Sequence, residues 1–150
     1  MALAVHSNQE DQAPLPFLKW AGGKRRLLPQ LLARIPENFG RYHEPFLGAG
    51  ALFFELSLRG SVLSDRNQRL IRTWRTVRDA PEALIDHLST FPHDEDFFLE
   101  MRGRDIDRED DLEVAAWMIY LNRTGYNGLY RVNQKGGFNV PFGNYKNPTI

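Results

Sequence analysis

Residues 41–65 confine this chain to a narrow set of folds. The segment RYHEPF reads as a short strand, Gly48-Ala49-Gly50 as a tight turn, and ALFFELSLRG as a helix with Gly60 as its C-cap. SVLSD then reads as a second strand ending in Asp65. Strand, glycine turn, helix, strand and acid in that order make the first half of a nucleotide-binding Rossmann-like unit, so the expected fold class is α/β. The glycines let the backbone approach a ligand closely. Asp65, seventeen residues past Gly48, can accept hydrogen bonds from the two ribose hydroxyls of an adenosine. Phe53 stands where the dinucleotide fingerprint has its third glycine, which counts against a nicotinamide cofactor. Taken alone, the Gly-Ala-Gly motif also reads as a plain strand-to-helix turn.

Upstream lies FLKWAGGKRRLL, with two glycines before Lys24 at the start of a helix expected over about 24–34, where Pro29 is tolerated only in the first turn. Free backbone N–H groups and an ammonium converging there suit an anion. The Walker pattern is not met, because Arg25 follows Lys24 and no suitable upstream glycine exists, so the segment reads either as an anion site of another kind or as a glycine turn with a solvated lysine.

The 150 residues suffice for one domain of ordinary size, and 42% hydrophobic content is enough for a core. No apolar run approaches the roughly 18 residues of a membrane helix, and MALAVHSNQEDQ lacks a signal peptide's pattern, so no membrane partner and a cytoplasmic address are expected. The chain has no cysteine and its four histidines are scattered, so no metal site is expected. Residues 1–14 read as a disordered lead.

Neutral net charge hides local asymmetry. Residues 93–113 carry ten acids against three arginines, read as a solvated face. RNQRLIRTWRTVR holds five arginines, and residues 121–150 carry Arg123, Arg131, Lys135 and Lys146 with no acid, so an anionic partner would meet two basic regions. From Gln68 to Arg78, Leu70, Ile71, Trp74 and Val77 recur at helical spacing. More helix is expected in PEALIDHLS, DEDFFLEMRG and DLEVAAWMIYLNRT, with Trp74, Phe97, Phe98 and Trp117 as core. LYRVN and FNVPF around QKGG read as a β-hairpin.

FLKWAGGK, EPFLGAGALFFEL, SDRN and LNRTGYNGLYRVNQKGGFNVPFGNYKNP, in that order, resemble the Dam-type family of DNA adenine-N6 methyltransferases, the D12 class, over about residues 16–148. The resemblance implies a Rossmann-like methyltransferase fold, incomplete here, that binds S-adenosylmethionine. Residues 15–67 would be the first part of the cofactor domain, and 68–150 a helical target-recognition insertion with a β-hairpin that enters double-stranded DNA. Trp20, Lys24, Phe46, Gly48, Gly50 and Asp65 would bind the cofactor, with Lys24 near its methionine end and Asp65 on the ribose. Arg131 would read a guanine edge, since its guanidinium fits O6 and N7 bidentately, as in a GATC-like site. Tyr126 would stack into the duplex where the target adenine leaves it, with Asn127, Leu129 and Pro141 lining the contact. Lys135, Lys146 and Arg123 would meet phosphates.

The family's catalytic Asp-Pro-Pro-Tyr does not occur in these 150 residues, so no catalytic residue is assigned, and Asn139-Val140-Pro141-Phe142 is not a substitute. The chain is expected to be a truncated or split portion of an adenine-specific enzyme, inactive by itself, with a complementing chain as a second partner. The competing expectations are a noncatalytic DNA-binding remnant or regulator, and a nicotinamide-dependent oxidoreductase.

Overall fold

A computed structural model describes residues 14–148 and 150. The expected lead at 1–14 therefore lies outside the described residues except for Pro14, which is exposed.

The β-α-β unit is present, in shorter pieces than its sequence implies. Strand β1 (His43–Glu44) and strand β2 (Val62–Leu63) pair in parallel, His43 opposite Val62 and Glu44 opposite Leu63. Beyond the strands the two segments still bond, Ser64 N donating to Glu44 O at 2.9 Å and Leu47 N to Ser64 O at 3.0 Å. Helix α2 (Ala51–Leu56) starts at Gly50, whose φ of +71° is left-handed. It closes at Ser57, itself left-handed at φ +47°, so Gly60 is not the C-cap and instead turns the chain into β2 at φ +73°. The helix expected over 24–34 is a 3-10 turn, Lys24–Leu27, followed by the short α1 (Leu28–Leu32). Pro29 sits in the first turn of α1, where its missing N–H has no intrahelical acceptor to lose.

Four helices form the rest: α3 (Gln68–Asp79), α4 (Pro81–Ser89), α5 (Glu95–Gly103) and α6 (Asp111–Thr124). Asn67, Asp94 and Asp110 cap α3, α5 and α6 by accepting from Leu70, Phe97 and Glu113 N–H respectively. Helix α6 is buried on nearly every side, from Val114 through Asn122, and the other three pack around it. A helix apolar around its whole circumference can sit only at the centre of a core. Trp117 and Tyr120 are fully buried, and each satisfies its polar atom: Trp117 Nε1 donates to Met101 O (2.7 Å) and Tyr120 Oη to Pro92 O (2.9 Å).

Phe98 and Trp117 lie in this core as expected, and Phe97 packs against it. Trp74 does more than fill the helical core. Its ring packs on Phe17, Phe53 and Phe54, and its Nε1 donates to Gly48 O at 3.1 Å, joining α3 to the glycine turn.

The acidic run is not merely a solvated face. Asp94 and Asp110 are helix caps, Asp107 pairs with Arg69 at 2.7 Å, and Asp111 pairs with Arg72. Two of the five arginines around α3 are thereby neutralised, and Arg78 pairs with neighbouring Asp79. The basic stretch at 66–78 is accordingly a weaker anion surface than its composition suggests.

Candidate functional site

Three segments distant in sequence meet at one cavity of about 230 Å³, lined by Trp20 through Lys24, Phe46 through Ala49, Ala51 and Asp65. Trp20, Lys24, Phe46, Gly48 and Asp65, all singled out from sequence, therefore line one cavity together. Gly50 does not line it. A Cβ there would stand 2.6 Å from the Trp74 ring, so this glycine admits a tryptophan rather than a ligand. Gly48, with φ of +53°, is where a left-handed backbone and close approach are both needed, since a Cβ would lie 3.1 Å from Trp20 Cδ1.

Asp65 is half-buried and fixes the turn. Its Oδ2 accepts from Gly48 N (2.9 Å) and its Oδ1 from Asn67 N (3.0 Å). Each carboxylate oxygen retains acceptor capacity for a further donor. Phe46 exposes 74% of its surface at the rim, a large apolar ring beside a polar cavity. Lys24 Nζ donates to the Phe46 carbonyl and lies 3.0 Å from Glu44 Oε1.

Glu44, only 4% exposed, does not line the cavity but pairs with Lys24, which does, and sequence reading missed it. Tyr42 Oη donates to its other oxygen at 2.8 Å, and burial together with this bond pushes the Tyr42 phenol above its ordinary pKa. An acid at a strand end, two residues before an exposed aromatic and four before Gly48, was the available signal.

The second region is the segment after α6. Gly125 bridges Phe142 and Val132 bridges Phe138, both antiparallel, and Asn133 N donates to Gly137 O at 2.8 Å. The hairpin is thus a tight reversal with isolated bridges rather than two full strands. Pro141, without an N–H, contributes only its carbonyl, which accepts from Tyr126 N at 2.9 Å. Asn133 Oδ1 accepts from Lys135 N and Gly137 N, organising the turn.

Tyr126, Asn127, Arg131, Lys135, Pro141 and Lys146 are exposed, and Leu129 is half-buried against the core. Asn127 holds a left-handed φ of +54°. Arg123 stands apart from this group: half-buried near the end of α6, it donates from Nη2 to Phe17 O at 2.6 Å. That bond ties the segment before the first turn to α6, a structural use that its expected phosphate role did not foresee.

Cavity and hairpin are joined. The Trp20 ring stacks on Tyr130 at 5.2 Å and 20°, and buried Asn122 bonds Lys19 N (2.9 Å), Lys19 O (2.8 Å) and Gly128 O (2.8 Å). Asn122, a lone amide in an apolar helix, also escaped sequence reading.

A family model for the D12 class N6 adenine-specific DNA methyltransferase matches residues 20–150. The chain is 45% identical over 141 residues to a type II methyltransferase, M1.LlaDCHI, of Lactococcus lactis subsp. cremoris, covering 90% of this chain and 50% of that protein. It is 38% identical over 157 residues to the type II methyltransferase M.MjaIII of Methanocaldococcus jannaschii, covering 90% and 54%. A DNA adenine methylase of Vibrio cholerae is 38% identical over 136 residues, covering 88% and 49%. The chain spans about half the length of these curated relatives.

Proposed function

Because the chain belongs to the D12 class of N6 adenine-specific DNA methyltransferases, we propose that it serves methyl transfer from S-adenosylmethionine to adenine N6 in duplex DNA, supplying cofactor-binding and base-reading parts of the enzyme. The observation that carries this is the convergence of Trp20, Lys24, Phe46, Gly48 and Asp65 on one cavity.

The lining suits the cofactor chemically. Lys24, its charge balanced by Glu44, keeps one of its three N–H donors for a ligand carboxylate, Asp65 offers acceptors to ribose hydroxyls, and Phe46 offers an exposed ring to a flat heterocycle. A cavity of about 230 Å³ is small beside the roughly 300–1,000 Å³ of typical ligand sites, so part of the cofactor would lie in its open mouth. When bound, S-adenosylmethionine supplies an electrophilic methyl on sulfonium. The chain's own residues orient it: the Asp65–Gly48 bond holds the turn, and the Lys24–Glu44 pair holds the rim.

In the finer fold reading, residues 15–67 begin a Rossmann-like cofactor domain and 68–150 form a helical target-recognition insertion. The hairpin then presents Arg131 to a guanine edge and Tyr126 to the space left by a flipped adenine, while Lys135 and Lys146 meet phosphates. The acceptor for the adenine amine would come from an Asp-Pro-Pro-Tyr segment outside residues 1–150, in this polypeptide or in a complementing one.

The test is equilibrium binding. Calorimetry should show S-adenosylmethionine binding that NAD does not displace. Displacement by NAD, or no binding by a chain completed with that segment, would remove the proposal.

A further inference from the structure

We infer that Asn139 is a specificity-determining positioning residue, which aims the guanidinium of Arg131 outward from the hairpin. Arg131 Nε donates to Asn139 Oδ1 at 2.7 Å and Arg131 Nη2 to Asn139 O at 2.8 Å, while Asn139 N returns a bond to Arg131 O at 3.0 Å. One residue therefore binds Arg131 by side chain and by main chain in both directions across the turn.

The choice of edge matters. Nε and Nη2 share the lateral edge of the planar fork, and Asn139 occupies it. The terminal edge, Nη1 with the remaining Nη2 hydrogen, has no partner among the described residues, and it is this end of a guanidinium that pairs two parallel N–H groups with two acceptors such as guanine O6 and N7. Arg131 is exposed, and an exposed arginine samples many rotamers that must be frozen on binding. The Asn139 clamp restricts that freedom before DNA arrives. Symmetry about Lys135 places 131 opposite 139, so the pair is built into the turn. Lys135, with no clamp on its ammonium among the described side-chain bonds, has only its charge to offer.

This inference rests on the base-reading role proposed for Arg131, and the experiment separates the two. A randomised duplex library selected on the full chain identifies the guanine that it prefers. Duplexes carrying 7-deazaguanine at that position lose N7 while keeping their pairing. The native chain should bind the guanine duplex several-fold more tightly than the 7-deazaguanine one, a part of the roughly 5- to 150-fold span of a bidentate contact because O6 still accepts.

Arg131→Ala should abolish that ratio. Asn139→Ala should lower it by about 2- to 12-fold, the cost of freezing an unclamped side chain, with an unchanged melting temperature. Asn139→Gln, which keeps an amide but moves its acceptor outward, should act like Asn139→Ala, and it serves if the alanine variant fails to fold. Asn139→Asp keeps the acceptor in place, so it should preserve the ratio while weakening all duplexes alike through its added negative charge. If Arg131→Ala abolishes the ratio and Asn139→Ala and Asn139→Gln leave it intact, the positioning role is overturned. If Arg131→Ala leaves it intact, or no guanine preference emerges, the base-reading role itself falls.

Discussion

Asp65 holds the scaffold with the same side chain that is proposed to bind the ribose. Its two oxygens secure Gly48 and Asn67 N–H groups and still face the cavity. Asp65→Ala should thus weaken S-adenosylmethionine binding and also orphan Gly48 N–H, at about 1–3 kcal/mol for a buried donor left unpaired. Asp65→Asn keeps an acceptor and should do less harm. Calorimetry beside thermal melting separates the two losses, and unchanged affinity in Asp65→Ala would sink the ribose assignment. Gly50 calls for a purely structural test: Gly50→Ala should lower stability by about 2–4 kcal/mol, from a left-handed backbone and a clash with Trp74, measured by denaturant unfolding. Sequence made Asp65 legible because the acid follows a recognisable strand. It did not separate Gly48 from Gly50, since that distinction depends on Trp74, which arrives from another helix. Glu44 and Asn139 were obscured in the same way, their partners being fixed only by folding.

Among elements, the helices were the most legible, because α3 to α6 carry apolar residues at helical spacing, α3, α5 and α6 begin at capping residues, and Pro81 opens α4. The 3-10 turn at Lys24–Leu27 was not, since Gly23 and Pro29 fragment the pattern there. Arg69 illustrates what periodicity leaves out. From α3 it pairs with Asp107, donates to Gly136 O at 2.9 Å and lies over the Trp117 ring, so it anchors the hairpin turn to the helical core. The Arg69 hydrogen bond holds the Asp107 carboxyl below its ordinary pKa against the opposing effect of partial burial. With its folded pKa depressed, Asp107 adds stability above the unfolded value of 3.8, and that stability is lost as pH falls through the lower folded value. Melting temperature should therefore drop more steeply below about pH 4 in the native chain than in Asp107→Asn. Parallel pH profiles would show that the pair contributes nothing. Arg69→Ala should loosen the turn, seen as faster amide exchange at Gly136 and Gly137.

The whole molecule couples a small parallel sheet to a helical core through few contacts, chiefly Trp20 on Tyr130, Trp74 on Gly48 and the Asn122 network. Trp20 on Tyr130 and Asn122 on Lys19 join residues about a hundred positions apart, and Trp74 reaches Gly48 across 26, which no local pattern could announce. A two-stranded parallel sheet is not self-sustaining, and here Trp74 of α3, packed on Phe53 and Phe54 of α2 and bonded to Gly48 O, ties the turn between the strands to the core. The chemistry is divided similarly. The residues proposed for the cofactor and for base reading both lie in this chain, whereas the Asp-Pro-Pro-Tyr proposed to accept the adenine N6 hydrogens does not occur in residues 1–150. Without that acceptor the amine is a poor nucleophile, however well the methyl donor is held. Residues 1–150 by themselves should bind duplex DNA with a steep salt dependence and transfer no methyl group at any cofactor concentration. Adding a fragment that carries Asp-Pro-Pro-Tyr and the remaining family sequence should restore N6-methyladenine, detected by mass spectrometry of digested DNA. Methylation by residues 1–150 alone would mean that a group within them, most readily on the hairpin, already provides the acceptor. Failure of the complemented pair, with both parts folded, would favour a DNA-binding remnant or regulator over an enzyme.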